Sequence, residues 1–178
     1  MSRAKRLARQ IERTMTGPMW HGPALVEVLD GVTADAARTT AVAGVHSIWQ
    51  IVLHVTAWAE IARHRVHGGS TGDPTPEQDW PPVPGPDGQF ASDPVPQLGS
   101  GDAQREWPLA VERLSESHRQ LAADARRLAD EQLDALVPGL EYTVSVLLHG
   151  IVEHGTYHGG QIALLKKASA EARRAPAT

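Results

Sequence analysis

The sequence predicts an all-α protein, a four-helix bundle with one long crossover between the second and third main helices. Four long segments repeat apolar residues at spacings of three and four, which is typical of a helix face in a bundle. No segment alternates apolar and polar residues as a half-buried strand would. Residues 68–100, between the second and third segments, hold eight of the thirteen prolines. We therefore expect one domain over residues 1–178.

The helices are predicted from periodicity together with start and stop signals. Gly17-Pro18 ends the first helix, Ser47 with Gln50 forms the pattern of a capping box at the second main helix, and Pro138-Gly139 precedes the last. In chain order, the predicted helical segments and short turns cover about residues 3–15, 23–29, 33–35, 47–66, 102–129, 130–136 and 141–167.

The crossover, residues 68–100, is predicted to contain neither helix nor strand, because proline interrupts both. A connection of this length inside one domain is usually a functional lid or a crossover between helices. Trp80, in the sequence Asp79-Trp80-Pro81-Pro82, is expected to anchor it to the bundle.

Composition excludes several classes of function. The chain has 178 residues, a formal net charge of −4 and no cysteine. Thiolate metal sites, iron–sulfur clusters and a cysteine nucleophile are therefore excluded, and the charge gives no reason to expect nucleic acid as a partner. The basic N-terminus lacks the apolar stretch of a secretory signal, and no apolar run reaches the roughly 20 residues of a membrane span. We expect a cytoplasmic protein with a small-molecule substrate, which could form a homodimer.

Three histidines occupy helix faces where leucine or isoleucine would normally lie. His154 and His158 are four residues apart on the last helix, so they are offset by about 40° and rise about 6 Å. His54 has the same position on the second main helix, between Ile51 and Trp58. Facing helices of a bundle commonly build metal sites this way. An isolated pair of this spacing is usually not a site, but three such histidines predict one divalent ion, with zinc favoured over nickel or iron.

Other residues could surround this ion without binding it. His118 lies on the face of the third main helix and could be a fourth ligand, a nearby base or a buried histidine bonded to a carbonyl group. Glu153 is about 100° around the helix from His154, which favours a solvated or outer role. Trp58, Tyr157 and Gln161 are further candidates for the pocket.

Gly155, Gly159 and Gly160 are unusual in the last helix, because each costs about 1 kcal/mol relative to alanine. The helix could end at His158. Alternatively, since Gln161, Ile162 and Leu165 keep the earlier phase, the small residues leave room beside the metal or let another helix approach.

Several motifs resemble the DinB-like family. They are HGTYHGGQIALLKK at His154–Lys167, HSIWQIVLHVTAW at His46–Trp58, Trp20-His21-Gly22 and Asp79-Trp80-Pro81-Pro82. The resemblance extends over nearly the whole chain. It implies a four-helix bundle with a metal triad that falls on His54, His154 and His158, with Gln161 matching a family glutamine. Many relatives have a basic residue where Gly159 or Gly160 stands here.

The resemblance also implies two kinds of activity. Some members of that family are transferases or isomerases that use a low-molecular-weight thiol, and others are regarded as metal-dependent hydrolases. We therefore expect a metal-dependent small-molecule thiol transferase or hydrolase, with thiol transfer slightly favoured. The alternative is a bundle with a structural metal, acting as a binding or dimerisation module.

Overall fold

The computed structural model describes residues 1–69, 72–84, 90–91 and 100–172, which form eight helices and one pair of two-residue strands. The elements are α1 (Arg3–Thr16), α2 (Leu25–Leu29), α3 (Ala34–Arg38), α4 (Ile48–Val66), α5 (Pro76–Asp79), β1 (Val83–Pro84), β2 (Phe90–Ala91), α6 (Ser100–Arg127), α7 (Asp130–Leu133) and α8 (Val144–Ala172).

Four long helices form the body of the protein. Helices α1 and α4 each pack against both α6 and α8, so that the four surround one core. Helices α2 and α3 cover one end of the bundle, and α7 covers the other. The prediction of an all-α bundle is confirmed, and α4 is followed by the predicted crossover to α6.

The core consists of two apolar clusters, one at each end of the bundle. The α2–α3 cluster includes Ile51 and Val55 of α4 with Ile162 of α8. The α7 cluster includes Ala59 of α4 with Ile151 of α8. On α8, the predicted metal-binding histidines lie between the residues of the two clusters, whereas His54 on α4 lies among residues of the α2–α3 cluster.

The start of α4 follows the predicted cap. Ser47 accepts a hydrogen bond from the Gln50 amide, and the Gln50 side chain accepts one from the Ser47 amide. Because this box fixes the first turn, it also fixes which residues of α4 face α8. His54 and Trp58 follow at helical spacing.

The crossover differs from its prediction. Residues Pro76–Asp79 form one helical turn, and β1 pairs antiparallel with β2. The turn forms because Thr75 caps it with Gln78 and because proline is tolerated in the first turn of a helix, where its missing amide hydrogen has no partner to lose. The expectation that residues 68–100 hold neither helix nor strand is therefore wrong at these positions. Residues 70–71, 85–89 and 92–99 of the same prediction lie outside the described residues.

Helix α8 continues through all three glycines to Ala172, five residues beyond its predicted end, and it begins three residues later than expected. A Cβ atom at Gly155 would lie 2.7 Å from Cγ2 of Thr14 in α1, whereas one at Gly160 would meet nothing within 4 Å. Gly155 thus lets α1 approach closely, which is one of the two roles predicted for these glycines. Over the described part of the chain, no helix is long and apolar enough to cross a membrane.

Candidate metal centre

Three imidazole rings meet between α4 and α8. The ring centroids of His54, His154 and His158 lie 4.4–4.8 Å from one another. One nitrogen from each ring lies within 4.8 Å of the other two. His54 and His158 are buried, and His154 is half-buried. The structure therefore brings together the three residues that helical spacing selected, in a group that could hold a metal ion.

The orientation of His54 is set by the crossover. Its Nδ1 lies 2.6 Å from the carbonyl oxygen of Asp79, and a carbonyl oxygen can only accept a hydrogen bond. Nδ1 therefore carries the proton, and Nε2 has a free lone pair. The Asp79 carboxylate lies 3.3 Å from the same Nδ1 and accepts a 2.6 Å hydrogen bond from Nε1 of Trp58. Asp79 thus fixes His54 with its backbone and Trp58 with its side chain.

His158 is oriented by its own helix. Its Nδ1 donates to Oε1 of Gln161 over 2.7 Å, and Nε2 of Gln161 donates to the Tyr157 hydroxyl over 3.0 Å. This assignment again leaves the Nε2 lone pair of the imidazole free. Gln161 therefore contacts His158 directly and Tyr157 does so through Gln161, although Tyr157 is 64% exposed. Such outer hydrogen bonds fix the tautomer and orientation of a metal-binding histidine.

Trp80 places the crossover over the site. Its indole stacks on His54 with ring centroids 3.9 Å apart and an interplanar angle of 6°. On its other face it stacks on His46, with centroids 3.6 Å apart. Trp80 is therefore the anchor that its sequence position predicted, and it lies between two histidines.

The environment keeps the three imidazoles neutral. Burial, together with the neighbouring rings of His158 and His54, lowers the pKa of His154 to about 3. Burial also lowers the pKa of His158 to about 4, and it lowers the pKa of His54. Because a metal ligand must be deprotonated, these shifts leave the nitrogens ready to bind an ion at neutral pH.

The donor set fits a divalent metal ion. Nε2 of His54 faces Nε2 of His154 at 2.9 Å. Two nitrogens on one tetrahedral zinc ion, at the usual zinc–nitrogen distance, lie about 3.3 Å apart, so these two rings need to separate by only a few tenths of an ångström. The nitrogen of His158 lies within 4.8 Å of both. Among the residues that the structure describes, no carboxylate belongs to the group, so three neutral imidazoles would leave a fourth position for an exogenous ligand.

Two predicted candidates, His118 and Glu153, do not belong to the three-histidine group. His118 of α6 is 1% exposed, and its Nδ1 bonds the Leu114 carbonyl oxygen over 2.9 Å. It is absent from the three-histidine group, so of the three roles considered for it the structure shows the carbonyl-bonded histidine. Burial lowers its pKa to about 4. Glu153 is exposed on α8, in keeping with a solvated carboxylate.

Asp79 and His46 are the residues at this centre that sequence reasoning missed. The motif Asp79-Trp80-Pro81-Pro82 did identify the segment, but it pointed to Trp80 as an anchor and not to Asp79 as a hydrogen-bond partner. His46 is the first residue of the motif His46–Trp58, from which no role at the site was predicted for it. Its closeness to Trp80 has no signal in helical spacing, because His46 precedes α4.

Comparison with known proteins adds one finding. The family model of the DinB superfamily matches residues 20–162, which is most of the chain. The chain belongs to the DinB superfamily. The matched region contains His54, Asp79, His154 and His158, so the whole candidate centre of this DinB superfamily protein lies within it. Comparisons with curated proteins and with solved structures gave no match.

Proposed function

We propose that this protein is a metal-dependent enzyme that acts on a small molecule as a thiol transferase or a hydrolase. His54, His154 and His158 would hold one divalent ion, most suitably zinc, with nickel or iron also compatible with imidazole ligands. The observation that carries the proposal is the convergence of three neutral imidazole nitrogens, with no carboxylate of the described residues in the group. A structural zinc site would instead be closed by a fourth protein ligand.

An ion bound at these nitrogens would act as a Lewis acid and would lower the pKa of a thiol or water molecule that reaches it. We favour a low-molecular-weight thiol as the co-substrate, because a neutral ligand set retains the full positive charge that stabilises a thiolate. The histidine motifs resemble a family in which some members use a low-molecular-weight thiol, which supports the same choice.

Residues of the chain prepare the site for this chemistry. Asp79 and Gln161 hold protons on the outer nitrogens of His54 and His158, so that both inner lone pairs point to one place. Trp80 covers one face of His54 and limits the access of water to it. A lower local dielectric strengthens the attraction between an ion and an anionic ligand.

Metal analysis of protein purified without a histidine tag tests the ligands. We expect about one divalent ion per chain, and loss of stoichiometric binding when His154 and His158 are both replaced by alanine. His149→Ala is the matched control, because His149 is exposed on the same helix. Retention of the ion by the double variant would refute the site.

Cobalt substitution tests the chemistry. A thiol that binds the cobalt-loaded protein should produce an intense near-ultraviolet charge-transfer band and release a proton. If no physiological thiol produces the band while water on the ion still exchanges rapidly, hydrolysis replaces thiol transfer. If neither thiol nor water reaches the ion, the metal is structural and the catalytic proposal fails.

A further inference from the structure

An apolar cavity opens directly beside the candidate metal centre. It has a volume of about 260 Å³. Its walls come from one residue of α4 and four of α8, with an imidazole at one end: Trp58, Val146, Leu147, Gly150, Ile151 and His154. An apolar cavity of about 150 Å³ is enough to take up benzene. This cavity therefore has room for an aromatic ring with a short substituent.

The lining of the cavity specifies a neutral occupant. None of its described lining residues is aspartate, glutamate, lysine or arginine. A larger cavity of about 470 Å³ lies along α4 and contains Glu60, Arg65 and Asp73, but none of the three clustered imidazoles lines it. A charged group would suit the larger cavity. In the cavity beside His154, a charged group would lose water and find no charged lining residue as a partner, which disfavours its binding.

Gly150 lines this cavity and leaves open space in its wall. A Cβ atom built there would meet nothing within 4 Å, in contrast to Gly155, whose missing side chain makes room for α1. Glycine in a helix interior costs about 1 kcal/mol relative to alanine. Neither a neighbouring helix nor a positive φ angle requires glycine at position 150. The space that glycine leaves at position 150 belongs to this cavity, which Leu147 and Ile151 also line.

One hydroxyl group gives the cavity a polar point. Tyr142 also lines it, and the Tyr142 oxygen accepts a 2.7 Å hydrogen bond from Nη1 of Arg65. The phenolic proton can still be donated to an acceptor atom of a ligand. Mostly apolar walls with a few placed polar groups are the usual make-up of a small-molecule site.

We propose that the substrate of this centre carries a compact, neutral apolar group, such as an aromatic ring, which binds in the cavity beside His154, and that Gly150 sets the size of group accepted. This inference rests on the proposed function, because the reacting end of the same molecule would have to reach the ion. The substrate class is then a molecule with a compact apolar end, and Gly150 determines the specificity for that end.

Binding of fluorobenzene, followed by ¹⁹F NMR titration, tests the cavity without any metal chemistry. The zinc-loaded protein should bind this probe, and Gly150→Leu should bind it at least tenfold more weakly, since the leucine side chain points back along the helix toward Val146 and Leu147. Gly160→Leu is the matched control, because Gly160 is a glycine of the same helix with nothing within 4 Å of its Cβ position and lies outside this cavity. It should bind fluorobenzene as the unmodified protein does.

A second experiment joins the cavity to the ion. In the cobalt-loaded protein, benzyl mercaptan should produce the charge-transfer band at a concentration at least tenfold lower than 2-mercaptoethanol. Gly150→Leu should remove this preference and leave the affinity for 2-mercaptoethanol unchanged.

The two proposals fail in different ways. Equal binding of fluorobenzene by the unmodified protein and Gly150→Leu would overturn the cavity proposal, as would equal affinities for the two thiols. Absence of the band with both thiols would count against thiol transfer alone, and the fluorobenzene titration would still decide the cavity. Circular dichroism verifies folding, and Gly150→Ala should raise the melting temperature, because the added methyl group meets no neighbour.

Discussion

Helix α8 approaches α1 closely at Gly155, so replacement of this glycine by alanine should destabilise the protein. The new Cβ atom would lie 2.7 Å from Cγ2 of Thr14, whereas carbon atoms in favourable contact are about 3.5–4.0 Å apart. Overpacking of this kind costs about 1–3 kcal/mol. The better helix propensity of alanine returns about 1 kcal/mol. We therefore expect Gly155→Ala to lower the free energy of unfolding by about 1 kcal/mol.

Three further variants test whether contact with Thr14 causes the expected loss of stability. Gly160→Ala has the same propensity gain and no neighbour within 4 Å, so it should raise the free energy of unfolding by about 1 kcal/mol. Thr14→Ser removes Cγ2 and keeps the hydroxyl group, which donates to the Gln10 carbonyl oxygen over 3.0 Å. The double variant Thr14→Ser with Gly155→Ala should therefore recover most of the loss.

Urea unfolding of the unmodified protein, the three single variants and the double variant measures these differences, and the double-mutant cycle gives the coupling between positions 14 and 155. Equal stabilisation by Gly155→Ala and Gly160→Ala would show that α1 does not press on α8 at this point. A coupling near zero would refute the assignment of the clash to Thr14.

Three further predictions concern the surroundings of the imidazoles. Gln161→Leu should weaken zinc binding by about 10–100-fold in a chelator competition, because Nδ1 of His158 loses its acceptor, whereas Gln161→Glu should retain tight binding. Trp58→Phe should weaken zinc binding by about tenfold in the same assay, since the Asp79 carboxylate loses its indole donor; unchanged affinity would mean that Asp79 is held by other contacts. The third concerns pH. The pKa of buried His118 is lowered to about 4, below its value of about 6.5 in the unfolded chain. As the pH drops from about 6.5 to 4, the unfolded state therefore binds a proton that the folded state does not, and the free energy of unfolding falls. At pH 4 this residue should cost on the order of 3 kcal/mol, and urea unfolding of metal-free His118→Leu should show a correspondingly smaller loss between pH 7 and 4.

The long helices and the histidine triad could be predicted from the sequence because helical geometry links residue spacing to direction in space. His54 on α4 and the pair on α8 were identifiable since each interrupts a regular apolar face. Ser47 and Gln50 fixed the start of α4 through side chains whose capping pattern is local. Each of these predictions depends on residues a few positions apart in one helix, and helical geometry fixes their relative directions.

The contribution of the crossover could not be predicted in the same way. The group that orients His54 is the backbone carbonyl of Asp79, which every residue possesses and which therefore leaves no mark in the sequence. The stack of His46, Trp80 and His54 depends on the path of a segment that has no repeating pattern. The turn before Trp80 was predictable in principle, because Thr75 and Gln78 form a capping box and Pro76 occupies a position that favours proline.

The division of the core into two clusters has a consequence for folding cooperativity. Helices α4 and α8 each pass through both the α2–α3 cluster and the α7 cluster, and on α8 the two imidazoles lie between the residues of one cluster and those of the other. An ion held by His54 and by the α8 pair would join the two helices close to this boundary. We expect the two ends of the bundle to open as separate units without the ion, whereas with it their amide protons should exchange at similar rates in one global unfolding step.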